Sequence, residues 1–260
     1  MKKLLTALCL LTSFVSCGGG GGSGSSNACD NLGLRIANGN TCSVKSSPVV
    51  SLVFQFPSGD QESCSGTIIT PTRILTAAHC IKSNSGDAVG GAAFIEGTQV
   101  SITGAIAHPS YSFNTSSYPR DVAIIGLKTA TNIAPLPIIA STTVSLGEEF
   151  AAYGYGDTQR SEASLTDLES TFLIVSGVED SAFSSSIGSD NQSVCSGDSG
   201  GPAVINVNGQ FGIVGITSLG ISEATELQCG VNGQGAIFTS VGSNSNLNFI
   251  LQYASNVQVI

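Results

Sequence analysis

The 260 residues include two histidines, and one of them stands where an imidazole could do acid–base work. Thr76-Ala77-Ala78-His79-Cys80 follows an apolar run, which would hold the His79 ring at a strand end beside a cysteine. Gly197-Asp198-Ser199-Gly200-Gly201-Pro202 places a hydroxyl among small residues that let the backbone turn tightly and let another molecule come close. Arg120-Asp121-Val122-Ala123-Ile124-Ile125 puts a carboxylate at the head of an apolar run that would bury it. A serine hydroxyl is inert at its free pKa and needs a base and an anion-stabilising pocket. His79 as base, Asp121 as the group that orients it and Ser199 as nucleophile supply that chemistry, in the chain order His, Asp, Ser. The other histidine, His108, precedes a proline in Ala107-His108-Pro109-Ser110-Tyr111 and is expected at the surface.

The elements that must position these groups are short. Apolar or alternating runs at 49–56, 67–69, 73–77, 100–107, 122–127, 150–155, 171–175, 203–207, 212–218 and 236–239 are separated by Gly, Ser, Asn and Pro. Such spacing predicts an all-β sandwich or barrel rather than alternating βα units. Only the end departs: Leu247, Ile250, Leu251 and Ala254 lie at i, i+3, i+4 and i+7 and predict an amphipathic helix over 245–254. Hydrophobic residues make up 41% of the chain, and its length allows one large all-β domain or two smaller ones. Residues 36–260 carry six Lys and Arg against seventeen Asp and Glu, which argues against nucleic acid or an anionic membrane surface as a partner.

The N-terminus reads as an export signal. Lys2 and Lys3 precede an apolar run at 4–15 that is too short to span a bilayer. Phe14-Val15-Ser16-Cys17 resembles a bacterial lipobox, with Phe14 where leucine is usual, and a Gly/Ser stretch follows to residue 26. The expectation is a signal peptide over 1–16, lipid on Cys17 and a flexible tether over 17–28; the alternative is an ordinary cleaved signal followed by a leader. Losing Cys9 with the signal and using Cys17 for a thioether leaves six cysteines, enough for three disulfides.

Over about residues 36–260, the stretches around His79, Asp121 and Ser199 resemble the trypsin/chymotrypsin family of serine proteases. The resemblance implies two packed six-stranded antiparallel β-barrels, about 36–145 and 146–260, a closing C-terminal helix and an endopeptidase acting through an acyl-enzyme. The N–H groups of Gly197 and Ser199 would then form the oxyanion hole. Ser218, in Gly215-Ile216-Thr217-Ser218-Leu219-Gly220, would support Asp121. Leu34-Arg35-Ile36-Ala37-Asn38-Gly39 matches the family's activation site, with Ala37 where valine is common. Residues 29–35 would form a propeptide, and the amine freed on Ile36 would pair with Asp198. Cys64–Cys80 and Cys195–Cys229 match family disulfides. Cys29 and Cys42 are left to pair across the cut, which would keep the tether attached.

Ser193 matches the base of the specificity pocket, and Gly220 and Ala236 match its walls. A neutral base predicts an uncharged, apolar, medium-sized residue before the cut, unless Asp190, Glu223 or Glu226 turns inward. Cleavage after Arg35 would then require a separate trypsin-like protease. Substrates would be proteins or peptides, no cofactor or metal is expected, and the place of action would be the bacterial cell envelope or the exterior. Tyr155 and Leu219 stand where the family usually has tryptophan, and Ser65-Gly66 where it usually has paired glycines. A catalytically silent binding lipoprotein and an esterase are the alternatives.

Overall fold

Strands short enough to be set off by single turns can curl into closed barrels, which leave no edge unpaired. In the computed structural model, which describes residues 29, 41–112, 118–157, 164–186, 193–220 and 235–260, the chain does this twice. Its first half contains β1 (Thr41–Cys42), β2 (Val49–Gln55), β3 (Gln61–Thr70), β4 (Arg73–Thr76), β5 (Lys82–Ser83), β6 (Gly86–Asp87), β7 (Gly90–Ile95), β8 (Thr98–Ala107) and β9 (Ala123–Leu127). Six of these close a barrel in the order β2-β3-β4-β9-β8-β7, while β5 and β6 form a small separate ladder.

The second half contains β10 (Glu149–Gly154), β11 (Leu168–Glu179), β12 (Ala182–Ser186), β13 (Pro202–Val207), β14 (Gln210–Gly220) and β15 (Ala236–Ser240), then helix α1 (Asn244–Tyr253). These strands run β11-β10-β13-β14-β15-β12, and the pairing of β11 with β12 closes the ring. The two six-stranded antiparallel barrels and the closing helix are those the resemblance implied. Strand β1 precedes the first barrel in the chain but hydrogen-bonds to β11 of the second.

Burial explains which runs were visible in the sequence. Residues 64–70 of β3 are buried without alternation, because one face fills the first barrel and the other meets its neighbour. The second barrel is filled around Phe150, Phe183 and Phe238, with ring centroids 4.9–5.4 Å apart. Between the barrels lies a further cluster that includes Val49, Ile69, Val122, Tyr153, Tyr155 and Ile216, capped by Phe249 and Ile250 of α1. Strand β7, Gly-Gly-Ala-Ala-Phe-Ile, lies outside the runs that the sequence marked as strands. A Cβ at its Gly91 would come within 2.8 Å of the Val53 carbonyl oxygen, so the β-branched residue that would have announced a strand cannot fit.

Two expectations need correction. Helix α1 packs largely on the anticipated face, with Ile250 and Ala254 buried and Leu247 against the core, but Leu251 is exposed and Asn246 and Phe249 are buried instead. Buried carbonyls explain the inward asparagine, whose Nδ2 donates to the oxygens of Pro119 at 2.9 Å and Ser240 at 2.8 Å. His108 is buried rather than at the surface. Its Nδ1 accepts the Ser110 N–H, its Nε2 is 3.1 Å from Ser245 Oγ, and its ring packs 5.1 Å from that of Phe249. The Pro109 turn folds the ring under α1, and burial holds its pKa below the ordinary value.

Candidate active site

Strand β4 delivers the histidine. Beyond Thr76 the chain turns inward through Ala77 and Ala78, both fully buried in the first barrel, and the Cys64–Cys80 disulfide pins the next residue to β3. A 3-10 turn at Tyr118–Arg120 sets Asp121 just ahead of β9, where it is 2% exposed. Its carboxylate grips His79 twice. Oδ1 accepts the His79 backbone N–H at 2.8 Å, and Oδ2 lies 2.7 Å from ring Nδ1. Ser218 Oγ, on β14 of the second barrel, donates to the same Oδ2 at 2.5 Å. An Nδ1–H directed at the carboxylate leaves Nε2 as the ring's basic nitrogen.

Burial pulls the His79 pKa down, but the charge and hydrogen bond of Asp121, with the charge of Glu62 behind them, leave it above the ordinary 6.5. Glu62 was not singled out in the sequence. It lies on β3 two residues before Cys64, is half-buried, and has its own pKa raised chiefly by burial.

The loop that carries Ser199 is held by its backbone. Ser199 O accepts the Ser65 N–H at 2.8 Å, the Gly200 N–H donates to Thr217 O at 2.8 Å, and the Gly201 N–H donates to Asp198 O at 2.9 Å. Gly197 and Gly200 have φ of +93° and +82°, a region where side chains are strained. A Cβ on Gly200 would collide with Thr76 Oγ1 and Ser65 O. The Asp157 N–H holds Ser196 O at 2.7 Å, and in a trans peptide this turns the Gly197 N–H to the opposite side. Among the described residues no hydrogen bond joins Ser199 Oγ to the His79 ring, and such contacts often tighten only when substrate binds.

Asp198 has a separate setting. Its carboxylate accepts N–H bonds from Gly156 and Cys195, each at 2.8 Å, and is enclosed so closely that a Cβ on Gly154 would strike it. Burial pushes its pKa up to about 6, against the pull of those two N–H groups, with the charges of Glu169 and Asp157 adding to the rise. Among the described residues no cation pairs with it.

Of the expected pocket residues, Gly220 at the end of β14 lies directly across from Ala236 on β15. Ala236 is fully buried, and Ser193 is partly buried in the loop ahead of Cys195. Leu219 is 44% exposed beside a bulge in the β14–β15 ladder. Cys29–Cys42 and Cys64–Cys80 are closed, and Cys195 is disulfide-bonded. Cys17, Arg35, Ile36, Asp190, Glu223, Glu226 and Cys229 lie outside the described residues. Cys64, His79 and Cys80 bring two sulfurs and a nitrogen within 4.8 Å, but the sulfurs are bonded to each other and offer no thiolate to a metal.

The family described as Trypsin matches residues 36–243. Chymotrypsin-like elastase family member 1 of Bos taurus is 27% identical over 235 residues, covering 80% of this chain and 86% of its own. A protein named trypsin from Saccharopolyspora erythraea is 25% identical over 228 residues, covering 80% and 94%. A solved structure of HL collagenase superposes with a TM-score of 0.66 at 24% identity, over 85% of this chain and 99% of that one, and speaks for the fold alone.

Proposed function

The chain belongs to the trypsin family of serine endopeptidases, and on that premise we propose that its Ile36-started form hydrolyses peptide bonds after uncharged apolar residues through an acyl-enzyme. The observation that carries this reading is the Asp121 carboxylate, which holds the His79 backbone, the His79 ring and Ser218 at once. His79 Nε2 takes the Ser199 proton during attack and returns it to the leaving amine. Asp121 fixes the tautomer and stabilises the imidazolium, and Ser218 fixes Asp121. The Gly197 and Ser199 N–H groups receive the oxyanion, each donor contributing about 3–4 kcal/mol in such sites. The preference before the cut rests on Ser193 as a neutral pocket base between Gly220 and Ala236, and relatives named elastases are consistent with it.

The chain is made as a zymogen. Cleavage after Arg35 by a separate trypsin-like protease frees the Ile36 amine, which pairs with Asp198 and sets the oxyanion loop. Residues 1–16 are an export signal, 17–28 a tether lipidated on Cys17 in the bacterial envelope, 29–35 the propeptide and 36–260 the protease. Cys29–Cys42 keeps the propeptide bound after the cut, so an acyl label on Cys17 leaves the protease only on reduction. Retention of that label after reduction of the cut form would contradict the tether.

A peptide-library cleavage profile of the Ile36-started form tests the assignment, with Ser199→Ala as control. Cleavage after medium-sized apolar residues, absent in the control, is expected. Cleavage after Lys or Arg would overturn the neutral pocket, and ester hydrolysis without peptide cleavage would make the protein an esterase.

A further inference from the structure

We propose that Ser65 is a positioning residue for the oxyanion loop, its hydroxyl fixing the Gly197 carbonyl from the opposite barrel. The proposal rests on the peptidase reading above and adds to it a part that the reading did not contain. Ser65 lies on β3 with no solvent exposure. A hydroxyl has one proton to give and lone pairs to receive, and this one uses both capacities. It donates to Gly197 O at 2.8 Å and accepts the Tyr155 N–H at 2.9 Å.

The backbone of the same residue donates to Ser199 O at 2.8 Å and accepts Thr76 Oγ1 at 2.7 Å. One first-barrel residue therefore touches the nucleophile, the glycine that offers an oxyanion donor, and the segment leading to His79. Through Tyr155 it also touches the neighbour of Gly156, whose N–H holds Asp198.

Gly197 needs such a hold. At φ +93° and without a side chain, its own torsions do little to fix the peptides on either side. The Asp157 N–H fixes the peptide before it, and the Ser65 hydroxyl fixes the one after it. Without the hydroxyl, a buried carbonyl and a buried N–H both lose their partners, and the loop can relax away from the geometry that suits the oxyanion. The donor is loosened rather than deleted. The loss should therefore be smaller than the factor of about 10²–10³ that follows removal of a donor.

The test is steady-state kinetics of the Ile36-started Ser65→Ala enzyme on a peptide substrate, with inhibition by a peptidyl boronic acid. We expect kcat to fall about tenfold and boronate affinity to fall by a similar factor, with KM within about twofold. Should Ser65→Ala fail to fold, Ser65→Gly removes the hydroxyl without placing a methyl group against the Gly197 carbonyl, and the same outcome is expected. Lower thermal stability with unchanged kcat, or a raised KM alone, overturns the role. Absence of turnover by the wild-type form overturns the peptidase assignment and this role together, whereas wild-type turnover with unchanged variant kinetics overturns this role alone.

Discussion

Glu62 adds a second negative charge near the His79 ring, behind that of Asp121. The His79 pKa lies above its ordinary value, so ring protonation stabilises the native state at low pH, and that contribution is lost as pH rises through the folded value. On the proposed mechanism activity runs the other way, because only the neutral ring can take the Ser199 proton. Glu62→Gln removes one of the charges that raise the value. The acid limb of the kcat/KM profile should therefore move to lower pH, and a limb that stays in place or moves up would contradict the coupling. Motifs, their order and the family resemblance put His79, Asp121 and Ser199 forward as the candidate set, since histidine is rare in this chain and Ser199 lies in a run of small residues. They did not reveal Glu62 or the work of Ser65. The hydroxyl's partners lie 90 and 132 residues away, so the sequence displayed only an absent glycine.

At the scale of elements, the loop at 193–201 depends on the end of β10, where Gly154 and Gly156 leave room for the Asp198 carboxylate. In the uncut chain this carboxylate titrates at about 6 rather than near 3.8, so the folded state holds its proton more tightly than the unfolded chain does. Native stability due to this group is greatest at low pH and falls as pH rises through about 6. Thermal unfolding of uncut Ser199→Ala should thus decline between about pH 4 and 7, and adding Asp198→Asn should flatten the decline. That comparison isolates Asp198 from His79, which loses stabilisation in the same direction. Equal slopes would contradict the assignment. Most strands were readable because their faces alternate or are wholly apolar. Strand β7 was not, because Gly91 must let β2 approach, and the inward Asn246 of α1 was missed because a buried asparagine looks polar in a helical pattern.

At the scale of the whole molecule, the site is a product of both barrels. His79 and Asp121 come from the first, Ser199 and Ser218 from the second, and the cluster between them sets their separation. The resemblance also put Ser218 forward as the support of Asp121, and the structure joins the two across 97 residues. The proposed switch draws on Arg35, Ile36 and Asp198 together, which lie far apart in the sequence. Labelling with a serine-directed fluorophosphonate before and after cleavage at Arg35–Ile36 reads the central claim directly. The labelling rate should rise about 10²-fold or more on cleavage, fall entirely on Ser199, and vanish in Ser199→Ala. An unlabelled Ile36-started form, or label on another residue, would contradict the account.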